Sequence, residues 1–409
     1  MGPKNMDLQE YCGLNRPRFR LEPEGDAEWY FGNEEVSDEL LTRIRSDFLI
    51  RGVPKCGVVG RFGQGKTHTL FHLKYLFDSY QDEFPAIPFF FRIAPYDEST
   101  PGLGGWSYIH SKMLDAMGEK FLRSLVVEFD RLPEDRTRGL ANVMVEEFRF
   151  GSENLQQSLA NLLSAYFLRD GRSTMSAWEW LRGKKPSGKE LQECGVNVWL
   201  EHAGDMVDII LNLGALTRKT FDAGLCFLMD EGQALGEVDK RHIEIHDTLL
   251  QISEPDNEDV GFVMALFGTG QSAIPDVIIN PPDLLSRLGV SSLNIHEAFI
   301  DLRRIINSEE DLKGFIADFL SHIKDRDKAI EIMNKFNIEN TTWDFLPFTQ
   351  KAIDRIVEIL FQDEQQRNPR MIINNLARVS AVAYQKAKQL DQYIIADVDI
   401  VNTELKDIS

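Results

Sequence analysis

The chain has 409 residues, 43% of them hydrophobic, 27% charged and 10% aromatic, which is ample material for a buried core and more than one typical domain. Lys and Arg total 45 against 65 Asp and Glu, a formal net charge of −20. That balance excludes broad electrostatic coating of nucleic acid or anionic membrane, and leaves room only for a local basic patch.

The first residues lack the apolar stretch of a secretory signal. The longest uncharged run of the second half, 261–275, is interrupted by Gly268, Gly270 and Pro275 and is too short to span a bilayer. Cys12, Cys56, Cys194 and Cys226 are widely spaced without metal-ligand patterning. These features predict a cytoplasmic protein with no membrane partner, no disulfide and no structural zinc.

In chain order, residues 1–31 mix charge and proline and read as an irregular arm. Over 32–50, Val36, Leu40, Leu41, Ile44 and Phe48 recur at helical spacing. The short apolar run 56–60 predicts a buried strand, 67–80 a helix and 86–93 a second strand. About 120 residues, 100–222, then show helical patterning broken at Pro133, Gly151, Gly171 and the polar loop 183–188. Strand signals resume at 225–229 and 261–267, and from 303 onward the pattern is all helical. The expected fold is therefore α/β: a P-loop NTPase core over 32–302, built on a parallel sheet with a large helical insertion, followed by a helical lid domain over 303–409.

The chemistry sits between these elements. Gly60, Arg61, Phe62, Gly63, Gln64, Gly65, Lys66 and Thr67 match G-x-x-x-x-G-K-[ST] in full, between a strand and a helix. Glycines let successive N–H groups close on phosphate oxygens, and the helix N-terminus adds its dipole. Lys66 brings a charge to the β- and γ-phosphates and the Thr67 hydroxyl ligates Mg²⁺. His68, next in the chain, is counted with the nucleotide-binding set. The run 224–231 is an apolar strand that ends in Asp230 and Glu231, at the edge where α/β sheets bind ligands. Asp230 would hold Mg²⁺ and Glu231 would deprotonate the attacking water, a pairing that favours a hydrolase over a kinase.

Three further positions are candidates. Thr269, after the strand 261–267, would reach the γ-phosphate or the water, with a plain strand-end turn as the alternative. Arg287, in Ser286-Arg287-Leu288-Gly289, would stabilise transition-state charge in a neighbouring subunit, with a solvated surface charge as the alternative. Arg370 follows Asn368 and Pro369 at the start of a helix and would report phosphate state from the lid; a salt-bridged helix-start residue is the bland reading.

With these pieces in this order, the chain resembles AAA+ ATPases of the initiator-like branch, over roughly 32–100 and 222–400. The Ser286-Arg287-Leu288-Gly289 and Asn368-Pro369-Arg370 motifs resemble those of origin-recognition and transposition-regulator ATPases. The insertion segment 180–196, beginning at Trp180, is similar to ATP-binding proteins of BREX-type phage-defence systems. The departures are Gly232, where the family more often has alanine, and Thr269, where many initiators carry asparagine. No winged-helix domain is expected after the lid, which weakens a direct origin-binding role. The resemblance implies ATP and Mg²⁺ as cofactors, a homo-oligomeric ring or filament, and an effector protein encoded nearby. It also implies an alternative role as an ATP-dependent regulator assembling on DNA, for which Arg182, Lys184, Lys185, Lys189, Arg303 and Arg304 are the basic candidates.

Overall fold

A computed structural model describes residues 2–30, 34–93, 105–133, 138–148, 150–165, 174–184, 188–193, 195–235, 243–254, 256–268 and 299–408. The elements in chain order are α1 (Glu34–Arg51), β1 (Lys55–Gly60), α2 (Lys66–Ser79), β2 (Ala86–Arg92), α3 (Trp106–Phe129), α4 (Leu140–Glu147), α5 (Glu153–Leu163), α6 (Thr174–Leu181), α7 (Gly188–Glu193) and α8 (Ala203–Phe221). They continue with β3 (Gly224–Asp230), α9 (Ile243–Ile252), β4 (Val260–Phe267), β5 (Phe299–Asp301), α10 (Glu309–Ile323), α11 (Arg326–Phe336), α12 (Gln350–Phe361), α13 (Pro369–Leu390) and α14 (Val398–Glu404).

The described strands form one parallel sheet in the order β2-β3-β4-β1-β5. β1 and β3 are buried along their whole length, as is β4 up to its last residue. That is why these strands read as unbroken apolar runs rather than as alternation. The fold class is as expected, an α/β sheet core of P-loop NTPase type with helices between β2 and β3 and a helical C-terminal region. β5 is a three-residue strand that the sequence pattern does not announce.

Compactness divides the chain into two units, 39–60 with 69–301, and 1–38 with 61–68 and 302–409. In the first unit, a continuous core runs from the sheet residues Phe89, Phe227, Met229 and Phe262 into Trp106, Leu122, Trp180 and Ile210 of the insertion. Burying each such side chain is worth roughly 1.5–3 kcal/mol, so the insertion is integral to this unit. Lys55 is fully buried at the start of β1, where its ammonium donates to Glu254 O at 2.9 Å and Asn257 O at 2.7 Å. Burial, with Arg51 nearby, pushes its pKa down to about 8. Cys56 and Cys226 are buried free thiols, as expected.

In the second unit, the N-terminal arm is irregular in outline but closely packed. Tyr11, Cys12 and Leu14 are buried, and Lys324 after α10 donates to Cys12 O at 2.6 Å and to Leu346 O. Arg16 pairs with Asp26 at 2.7 Å, and His322 of α10 meets the other Asp26 oxygen at 2.8 Å. Helix starts here follow capping rules: Ser308 opens α10 with a reciprocal capping box, Thr349 caps α12 and Asn368 caps α13. No helix among the described residues is long and apolar enough to cross a membrane.

Candidate functional site

The phosphate loop takes its shape from two glycines. Gly63 has φ +82° and Gly65 φ +85°, backbone that any other residue would hold only with strain. The loop closes on itself, with Arg61 N–H donating to Gln64 Oε1 at 2.6 Å. Lys66 opens α2, is buried, and turns its ammonium back to donate to Arg61 O at 3.0 Å. Thr67 is the second residue of that helix. A Cβ at Gly65 would meet nothing within 4 Å, so that glycine serves conformation and an open cradle rather than packing. The donor set therefore fits a bound phosphate chain: backbone amides, a helix N-terminus and one lysine at the loop's centre.

The start of α13 completes this environment within the same unit. A Cβ on Gly63 would lie 2.8 Å from Asn368 Oδ1 and 2.9 Å from Arg370 Cβ. Arg370 N–H, one of the helix-start amides with no intrahelical acceptor, donates to Gly63 O at 3.4 Å. The Arg370 guanidinium lies over the exposed Phe62 ring, 4.5 Å from its centroid, in cation–π geometry. Arg61 reaches Glu364 at 3.2 Å. His68 donates from Nε2 to Trp29 O at 2.5 Å, with Tyr30 stacked beside its ring, so the N-terminal arm abuts the helix that follows the loop.

In the sheet unit, Gly60, Asp230 and Phe267 end β1, β3 and β4 at one carboxyl edge. Asp230 is fully buried. Its Oδ2 is 3.3 Å from the guanidinium of Arg92, its register partner on β2, and its Oδ1 accepts from Glu231 N–H at 3.0 Å. Glu231 sits in the left-handed region at φ 60°, ψ 38°, which costs a non-glycine residue about 1–2 kcal/mol. Strain of this kind gathers at functional turns. The Glu231 carboxylate accepts from Gln233 Nε2, and Gln233 Oε1 accepts from Phe267 N–H at 2.9 Å. A Cβ on Gly232 would lie 2.5 Å from Met264 Cγ, so the packing of β4 leaves room here for glycine alone unless Met264 shifts.

Residues 61–67 of the loop and Arg370 thus gather in one unit, and Asp230 with Glu231 in the other. Thr269 and Arg287 lie outside the described residues. Sequence reasoning passed over Arg92 and Gln233. Arg92 had a signal, a charge closing an apolar strand; Gln233 had none short of the strand order. Among the described residues no cluster of three or more His, Cys, Asp or Glu could hold a metal.

Strand order β5-β1-β4-β3-β2 places the glycine loop after β1 and the acidic pair after β3, on a parallel α/β sheet. Among solved structures, the chain is similar to Cdc6p from Pyrobaculum aerophilum, at 11% identity over 98% of this chain and 71% of that one, with a TM-score of 0.42. No protein-family profile and no curated protein matches its sequence.

Proposed function

We propose that the chain binds ATP with Mg²⁺ and hydrolyses it, assembling as a homo-oligomeric ring or filament that drives or switches a multi-protein complex in bacterial anti-phage defence, beside an effector protein encoded nearby. One arrangement carries the catalytic part. A glycine-shaped loop leads from β1 into the N-terminus of α2, and Asp230 and Glu231 end β3 at the same sheet edge as Gly60. In this reading the amides of residues 60–67 and the Lys66 ammonium hold the phosphates, and Thr67 and Asp230 hold Mg²⁺. Bound with the nucleotide, Mg²⁺ would supply charge neutralisation at the phosphates. Glu231 takes a proton from water as its oxygen bonds to the γ-phosphorus and the bond to the bridging oxygen of ADP breaks. Arg370 reads the phosphates from the lid, Thr269 orients the water or the γ-phosphate, and Arg287 completes the site of a neighbouring subunit.

The test is molar mass in solution with and without ATP and Mg²⁺, using Glu231→Gln to stop turnover. Growth to a ring-sized or open-ended assembly is the expected result; a mass fixed at the 46.8 kDa of one chain removes the oligomeric switch. Arg287→Ala is expected to cut turnover without weakening nucleotide binding, and unchanged turnover removes its role in trans.

A DNA-bound regulator is the second reading, favoured by the exposed Lys184 and Lys189 of the insertion. Arg182 contributes less, since Asp115 pairs with it at 2.5 Å. This reading expects DNA affinity that falls steeply with salt and is lost on neutralising Lys184 and Lys185. Salt-insensitive or absent binding excludes it.

A further inference from the structure

Gln233 is the junction between the proposed base and the neighbouring strand. It lies in the single 3-10 turn Gly232–Ala234 that follows β3, half-buried, two residues beyond Glu231. Its carboxamide orientation is fixed by chemistry. Phe267 N–H can only donate, so the atom facing it at 2.9 Å is Oε1, and that leaves Nε2–H for the Glu231 carboxylate. Every other polar group of Glu231 is also engaged locally: its N–H donates to Asp230 Oδ1, and its C=O accepts from Ala234 N–H at 2.9 Å. The turn thus fixes the backbone of Glu231 at a strained φ, while Gln233, among the described residues, holds the carboxylate.

The far end of the tie matters as much. Phe267 is the last residue of β4, and Gly268 N–H is bonded to Gly60 O at 3.2 Å, so the end of β4 is anchored to the residue from which the phosphate loop departs. A shift of that strand end is handed to Gln233 through one hydrogen bond and to Glu231 through the next. Among the described residues, the charged groups at this strand end include Asp230, which precedes Glu231, and Arg92 on β2, which pairs with Asp230.

We propose that Gln233 is a positioning residue for hydrolysis, holding the Glu231 carboxylate toward its water and coupling its direction to the end of β4. The inference rests on the reading of Glu231 as the base. Two variants test it. Gln233→Met keeps the volume and removes both bonds. Gln233→Glu keeps the acceptor for Phe267 N–H, and hence the turn, but sets a carboxylate against that of Glu231.

For Gln233→Met, ATP affinity is expected within about twofold of the parent while kcat falls about tenfold or more, a part of the 10²–10⁴ that a positioned base supplies. For Gln233→Glu, which keeps the acceptor for Phe267 N–H but loses the donor to the Glu231 carboxylate, kcat is expected to fall about tenfold or more with ATP affinity within about twofold and the melting temperature near that of the parent. A merely structural role would lower the melting temperature and leave kcat of the folded protein in place. Both variants keeping the parent kcat, while Glu231→Gln is inactive, overturns the proposal. Should Gln233→Met not fold, Gln233→Glu decides alone by the same split between kcat and ATP affinity. A Glu231→Gln protein that turns over normally overturns the assignment of the base itself, and is read independently of position 233.

Discussion

The phosphate loop and the acidic turn do comparable work by opposite means. The loop places its sharpest backbone angles on Gly63 and Gly65, where they cost little beyond chain entropy. The acidic turn places its sharpest angle on Glu231 and holds the side chain through Gln233 to a strand more than thirty residues further along the chain. Local geometry of the first kind is encoded in residue type at fixed spacing. Geometry of the second kind is encoded in tertiary structure, and it is strained.

That contrast can be broken at either side. The largest effect on nucleotide binding is expected for Lys66→Ala. Removing the one ammonium of the cradle forfeits charged hydrogen bonds worth up to about 3 kcal/mol, roughly 100-fold in ATP affinity, and turnover falls with it. Equilibrium binding of a fluorescent ATP analogue measures this, and unchanged affinity would remove the loop from the site.

Gly63→Ala comes next. It forces a side chain into φ +82° and drives a Cβ to 2.8 Å from the capping oxygen of Asn368. The strain alone is about 1–2 kcal/mol, and the clash unseats the loop from the first turn of α13. Weaker nucleotide binding with a lower melting temperature is expected. A protein that tolerates alanine here would mean that the loop does not need α13.

The smallest effect on stability has the opposite sign. Glu231→Gly relieves the left-handed strain and is expected to stabilise the fold by up to about 1 kcal/mol while eliminating hydrolysis. Thermal unfolding beside a phosphate-release assay reads both. A destabilised Glu231→Gly protein would show that the bonds of the carboxylate outweigh the strain of its backbone.

Much of the fold was legible because of burial. The runs 56–60, 225–229 and 261–267 are continuously apolar since their strands are covered on both faces, and their bounds move by only a residue or so in the structure. Elements without a pattern were not legible. β5 is three residues long. The arm shows no period in sequence because Tyr11, Cys12 and Leu14 are scattered contacts, and Lys55 is a charge in a core position, stabilised by two carbonyls far along the chain. In the site, the glycines and Lys66 carry their own spacing, whereas Gln233 acquires its role only once β4 lies beside β3. Arg92 is intermediate, since a charge closing an apolar strand is visible but its partner Asp230 is not.

The role proposed for Glu231, as base of an ATP-hydrolysing site, is tested by ATP binding and phosphate release, side by side, for the parent protein and Glu231→Gln with ATP and Mg²⁺ present. Equal binding and a loss of turnover of roughly 10²–10⁴ in the variant are expected. Equal binding with equal turnover would contradict that role and send the search for the base elsewhere on the carboxyl edge of the sheet.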